Sequence, residues 1–216
     1  MDRRAFIHAQ TVPGRPPLVP EISVLLANEV TDLWHATEGW LKERAVEPPF
    51  WAFAWAGGQA LARYLLDHPE VVRGKDVVDV ACGGGIVALA AAMAGARRVR
   101  AYDVDEMAVE ATRLNADANG LSVEAHLAAA EDLDVFAEVV TAGDIFYDAE
   151  MTARLLPWLR ARAERGAVVL VGDPARSYRP EEGLRPIARH VVPTPVELEG
   201  RNERTGTVYT VHMVRS

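Results

Sequence analysis

Apolar positions along the chain follow two alternating rhythms. Short runs rich in β-branched residues at 77–80, 99–104, 123–128, 139–142 and 168–171 predict strands. Helical spacing fills the stretches between them. Leu61, Tyr64, Leu65 and Leu66 mark a helix that opens at Ala56-Gly57-Gly58 and ends near Pro69. Residues 86–94 form a small-residue helix stopped by Gly95, and 106–118 a helix capped by Asp105 and closed by Asn119-Gly120. Residues 149–162 form a helix that Pro157 is expected to kink or split. The ending changes character: 190–198 and 207–214 read as two long strands joined by 199–203 into an antiparallel hairpin. Repeated βα units followed by a hairpin predict a doubly wound α/β sheet with one antiparallel strand. Ahead of it, proline-rich residues 1–20 read as a flexible tail. Residues 21–56 read as an extension packed on the core through a short strand or hairpin and a helical turn, and 57–216 as the main domain.

Composition narrows the possibilities. With 216 residues, half of them hydrophobic, the chain suits one domain with a sizeable core. A net charge of −8 disfavours a nucleic-acid partner. It suits a protein with exposed lysines, although acidity is common in cytosolic proteins. Cys82 is the one cysteine, so no intrachain disulfide can form and a reducing compartment is expected. No run approaches about 18 apolar residues. Arg3-Arg4 has no apolar core behind it and is not read as an export signal.

The candidate chemistry lies at 77–85, Val-Val-Asp-Val-Ala-Cys-Gly-Gly-Gly, and at Asp103, at the end of the next strand about 20 residues on. A glycine turn after a strand can be no more than a tight βα connection. Here, however, Asp79 stands inside the strand where an apolar residue is expected, and a carboxylate there needs donors. A dinucleotide site prefers G-x-G-x-x-G, but these glycines are contiguous, and Asp79 would repel a pyrophosphate. It favours a cation such as an α-ammonium, while Asp103 can accept from a ribose diol. A ligand with both groups and no phosphate is S-adenosylmethionine.

Asp79-x-Ala81-x-Gly83-x-Gly85 resembles the first motif of the class I, seven-strand S-adenosylmethionine-dependent methyltransferases, with Ala81 a mild departure from the usual glycine. Asp144-Ile-Phe-Tyr147 and Trp55-Ala-Gly-Gly-Gln-Ala-Leu61 are similar to signatures of the lysine methyltransferases called methyltransferase family 16. Pro20-Glu-Ile22, Pro49-x-Trp51-Ala52, Val71-Val-Arg-Gly-Lys75 and Val171-Gly-Asp-Pro174 resemble those members that modify the β-subunit of electron-transfer flavoprotein. The resemblance implies a Rossmann-like sheet of six parallel strands and one antiparallel strand, with S-adenosylmethionine as methyl donor and lysine side chains of that β-subunit as acceptors. It implies cofactor contacts at Trp55, Asp79, Ala81, Gly83, Gly85, Asp103, Val104, Glu131 or Asp132, and Asp144. Asp144 is expected to position the substrate amine, with Phe146 and Tyr147 lining its channel.

Plainer roles stay open at several of these positions: a packing tryptophan at Trp55, core aromatics at Phe146 and Tyr147, and helix caps at Asp144 and at Glu131 or Asp132. No metal-ligand spacing is present, and Cys82 reads as a packing residue. The tail has the wrong composition for a transit peptide, so a bacterial cytosolic form, monomeric and without membrane or nucleic-acid partners, is expected. Ribosomal-protein lysines and a nicotinamide-like small molecule are alternative acceptors. An NAD-binding oxidoreductase and a non-enzymatic S-adenosylmethionine sensor are alternatives of a different class.

Overall fold

A computed structural model describes residues 2–27 and 49–212. The elements are α1 (Arg3–Gln10), β1 (Thr11–Gly14), β2 (Val24–Ala27), α2 (Ala56–Asp67), β3 (Asp76–Val80), α3 (Ile86–Met93), β4 (Arg98–Asp103) and α4 (Glu106–Asn119). They continue with β5 (Glu124–Leu127), β6 (Val139–Gly143), α5 (Ala149–Glu164), β7 (Val168–Asp173), β8 (Leu184–Pro193), α6 (Val196–Glu199) and β9 (Glu203–Val211). The seven-stranded sheet has the order β5-β4-β3-β6-β7-β9-β8. Strands β3 to β7 pair in parallel, and β9 runs antiparallel to both β7 and β8. Six strands therefore share one direction and one opposes them, as expected.

The strand period of two divides the core into two layers. Val77, Val99, Val139 and Leu170 face Leu61 and Leu65 of α2 and the alanine-rich α3. Val78, Val80, Val140 and Val169 face Leu155, Trp158 and Leu159 of α5. Each fully buried leucine or valine contributes roughly 1.5–3 kcal/mol. Asp105 accepts from the Met107 N–H at 2.8 Å to start α4, and Gly120 ends it at φ 64°. From β3 the chain winds to β4 and β5 on one side, then crosses to β6 and β7 on the other. That reversal opens a crevice at the carboxyl ends of β3 and β6, where ligands of such sheets bind.

Four expectations change. Residues 2–20 carry α1 and β1 rather than a loose tail. Ile7 is fully buried against Leu25, Trp51 and Met107, β1 pairs with β2, and Arg4 holds Glu110 at 2.5 Å. The prolines hid this because the helix ends before them. Helix α5 is uninterrupted at Pro157, which lies on its exposed face, where water can satisfy a released carbonyl. The last hairpin is longer on its first side, with Leu184 opposite Val211 and Pro193 opposite Glu203. Its tip is not all turn, since Val196–Glu199 closes as the short helix α6 after Pro195. The helical turn expected near Trp34 and Trp40, and the end of the last strand at 213–214, lie outside the described residues.

Candidate active site

A cavity of about 690 Å³ opens over the carboxyl ends of β4, β3 and β6. Its floor is the turn after β3. Ala81 and Gly83 take left-handed φ of 51° and 53°, and Gly85 takes 81°. The cavity side of the turn is therefore mostly backbone. Left-handed φ costs an alanine about 1–2 kcal/mol, so Ala81 is a strained position rather than a mild departure from glycine. At Gly84 an added Cβ would stand 2.6 Å from the Trp51 carbonyl, and at Gly85 2.7 Å from Thr112 Cγ2. Helix α4 pins the loop from behind. Thr112 donates to the Gly83 carbonyl at 2.9 Å and Asn115 to the Gly84 carbonyl at 2.8 Å. The Asn115 Oδ1 atom also accepts from the Leu25 N–H, tying β2 to the same loop. Cys82 packs beside Thr112, with its thiol pushed well up by burial.

Two carboxylates flank this floor. Asp79 is 1% exposed and lines the cavity. Its Oδ1 accepts from the Thr141 hydroxyl at 2.7 Å, while Oδ2 has no hydrogen-bond partner among the described residues. Burial raises its pKa to about 7, against the lowering effect of Thr141. A buried carboxylate at the wall of a cavity, with one oxygen outside any side-chain hydrogen bond, favours a cationic donor bound nearby. Asp103 accepts from the N–H groups of Gly83 at 2.8 Å and Asp105 at 3.0 Å. Each of its oxygens keeps a lone pair for a hydroxyl. Exposed Val104 lies beside it, and Glu131 lines the next part of the wall, 3.5 Å from Arg154. Asp132 is exposed but does not line the cavity, so only Glu131 of that pair is in place.

Over β6 and β7 the site is more tightly built than its sequence suggests. Asp144 is 6% exposed and sits at φ 58°, an uncommon conformation kept where the surroundings hold it. Its Oδ2 accepts from the Gly57 N–H at the start of α2, and its Oδ1 from Arg176 Nε at 2.6 Å. Burial lifts its pKa to about 6, with Arg176 opposing. Gly57 has no room for a side chain there, since a Cβ would strike the Gly172 carbonyl and Asp144 itself. The role of capping α5 falls to Asp148, which accepts from the Met151 N–H at 2.8 Å. Phe146 corrects an expectation: it is fully buried in the core on the α5 side of the sheet and does not line the cavity. The next residue faces the other way, and Tyr147 lines the cavity, 42% exposed, with its ring 5.2 Å from that of Phe50.

Trp55 lines the wall and donates to the Phe50 carbonyl at 2.9 Å. Its ring meets Phe50 and Phe53 edge-on and carries the Arg176 guanidinium 5.6 Å away. The structure thus brings Trp55, Asp79, Ala81, Gly83, Asp103, Val104, Glu131, Asp144 and Tyr147 onto one cavity. It leaves out Gly85, which shapes the turn, together with Asp132 and Phe146. Sequence reasoning missed Phe50, Thr112, Asn115, Thr141 and Arg176. Thr112 and Asn115 had a signal: polar residues three apart on the inward face of an otherwise apolar stripe. Arg176, in a turn with no motif, had none.

The chain is similar in sequence to known methyltransferases. The family model described as ribosomal protein L11 methyltransferase (PrmA) matches residues 59–171. The electron transfer flavoprotein beta subunit lysine methyltransferase of Xenopus laevis is 40% identical, over 88% of this chain and 76% of its own length. The protein of that name from Rattus norvegicus is 34% identical over 97% and 84%. Among solved structures, the magnesium protoporphyrin IX methyltransferase of Synechocystis, with bound SAM, superposes with a TM-score of 0.52 at 16% identity. It covers 86% of this chain and all of its own, and it supports the fold alone. The chain belongs to the methyltransferase family that includes the electron transfer flavoprotein beta subunit lysine methyltransferases.

Proposed function

We propose that this protein methylates lysine side chains of the β-subunit of electron-transfer flavoprotein with S-adenosylmethionine as donor. The observation that carries this reading is the single cavity joining Asp79 and Asp103 to Asp144 and Tyr147. The buried Asp79 carboxylate at the cavity wall fits an α-ammonium, Asp103 a ribose diol, and the exposed backbone of the glycine turn leaves room for a nucleoside without a phosphate. Glu131 stands where an adenine amino group can be accepted, and Trp55 where it covers the methionine portion. Bound there, S-adenosylmethionine supplies a sulfonium methyl group for in-line transfer to an amine, and S-adenosylhomocysteine is the product.

The protein's own part is orientation and proton control. Orientation of two reactants is worth roughly 7–11 kcal/mol of barrier. Asp144 keeps lone pairs beyond those used by Gly57 and Arg176, and it accepts from the incoming amine to aim it. Tyr147, with Phe50 behind it, walls the amine from water. The amine must be neutral, and from a free pKa of about 10.4 its deprotonation near pH 7.4 costs about 4 kcal/mol. Desolvation by the aromatic wall reduces that cost. The acidic surface suits a lysine-rich partner. A reducing setting such as a bacterial cytosol suits a chain whose one thiol is Cys82.

Incubation with labelled S-adenosylmethionine and a bacterial lysate tests the reading. Label is expected on the flavoprotein β-subunit. Label on ribosomal proteins would favour the acceptor named by the matched family model. Label confined to small molecules would overturn protein methylation.

A further inference from the structure

Arg176 stands on the turn after β7, with all three guanidinium nitrogens engaged. Nε donates to Asp144 Oδ1 at 2.6 Å, and Nη1 and Nη2 donate to the two Glu199 oxygens at 2.9 and 2.8 Å. The turn itself is locked, because Asp173 Oδ1 accepts from the N–H groups of Ala175 and Arg176 at 2.8 and 3.1 Å. A cation so held projects into the cavity with little freedom, and its charge cannot be titrated away.

The charges around it balance. Arg204 Nε lies 2.8 Å from Glu199, and Arg179 Nε lies 3.5 Å from Asp173. Three carboxylates, Asp144, Asp173 and Glu199, thus meet three guanidinium groups. The cap of α5 and its first turns add Asp148, Glu150 and Arg154 to the cavity lining, and Tyr147 precedes them. Asp79 and Asp103 belong to the part of the cavity over β3 and β4.

This balance answers a conflict within the site. A carboxylate beside a lysine amine orients it but also stabilises the ammonium, which cannot attack. At an effective dielectric near 20, a unit charge about 4 Å away shifts a pKa by roughly three units. A fixed guanidinium on the same carboxylate opposes that shift. We propose that Arg176 is a positioning residue for methyl transfer: it fixes the Asp144 carboxylate and cancels its charge toward the incoming amine, so that the lysine is aimed without being held protonated. This role rests on the reading of the site as a lysine methyltransferase.

The test is the pH profile of single-turnover transfer from S-adenosylmethionine to purified flavoprotein β-subunit, which reports ionisations in the assembled complex. Arg176→Gln is expected to move the rising midpoint up by about one unit or more. Transfer near pH 7.4 then falls about tenfold or more and recovers at high pH. Arg176→Lys keeps the charge but not the fork, so its midpoint stays near that of the unaltered protein while its plateau drops. Glu199→Gln leaves the guanidinium in place with less opposing charge and is expected to move the midpoint down. It provides the same test if Arg176→Gln does not fold. A merely structural role lowers the plateau in all three variants and moves no midpoint, and that result would overturn the proposal. If the unaltered protein transfers nothing to the β-subunit, the functional reading itself falls, and the role of Arg176 with it.

Discussion

Replacing Asp79 with asparagine is expected to stabilise the ligand-free protein while weakening its hold on the cofactor. Burial raises this carboxyl from 3.8 to about 7. The folded pKa lies above the unfolded one, so its contribution to stability is fully present below about pH 4. It is withdrawn as pH rises toward 7. About three pK units at 1.36 kcal/mol each amount to roughly 4 kcal/mol of lost stability above pH 7. Asparagine escapes that loss and can still accept from Thr141. Its amide N–H₂ then replaces the partnerless Oδ2 in a buried position, at a cost of about 1–3 kcal/mol. The variant is therefore expected to be about 1–3 kcal/mol more stable than the unaltered protein near pH 8 and no more stable near pH 4. Urea denaturation at several pH values measures the gap. Titration calorimetry with S-adenosylhomocysteine, which keeps the α-ammonium, measures binding; a lost charge-assisted contact predicts weakening of about 30-fold to 100-fold. A gap that does not change with pH, or undiminished affinity in Asp79→Asn, would refute the assignment of Asp79 to the ammonium.

Other substitutions separate structure from function. Gly85→Ala combines a left-handed φ of 81° with a 2.7 Å contact on Thr112, so a loss of about 3 kcal/mol or more is expected in denaturation. Phe146→Ala is expected to cost about 3–5 kcal/mol because the ring is fully buried. Its neighbour Tyr147→Ala is expected to change stability by about 1 kcal/mol or less, yet to reduce methyl transfer about tenfold or more without altering S-adenosylhomocysteine affinity. Asp144→Asn is expected to bind S-adenosylhomocysteine within about fivefold of the unaltered protein while transfer falls about a hundredfold, as measured by calorimetry and a filter assay.

What could be read in advance was what is local in sequence. The turn 79–85 and Asp103 belong to consecutive βα units, and their spacing alone places them on adjoining strand ends. The caps Asp105, Gly120 and Asp148 signal through single residues. Contacts that depend on which way a side chain leaves the backbone were not legible. Phe146 and Tyr147 are neighbours, yet one enters the core and the other the cavity. Arg176 reaches Asp144 across 32 residues through a turn with no periodicity. The N-terminal helix was hidden by the prolines that follow it, and its burial depends on Met107 and Ala111 of a helix about a hundred residues later, which no local pattern reveals.

The central claim is that the Asp144 end of the cavity receives a protein lysine while the Asp79 end holds the methyl donor. Intact-mass analysis of purified electron-transfer flavoprotein β-subunit, after incubation with this protein and S-adenosylmethionine, tests it most directly. The expected result is added mass in steps of one methylene, mapped by peptide fragmentation to lysine side chains and formed about a hundredfold more slowly with Asp144→Asn. A β-subunit of unchanged mass, from a preparation that binds S-adenosylhomocysteine normally, would contradict it.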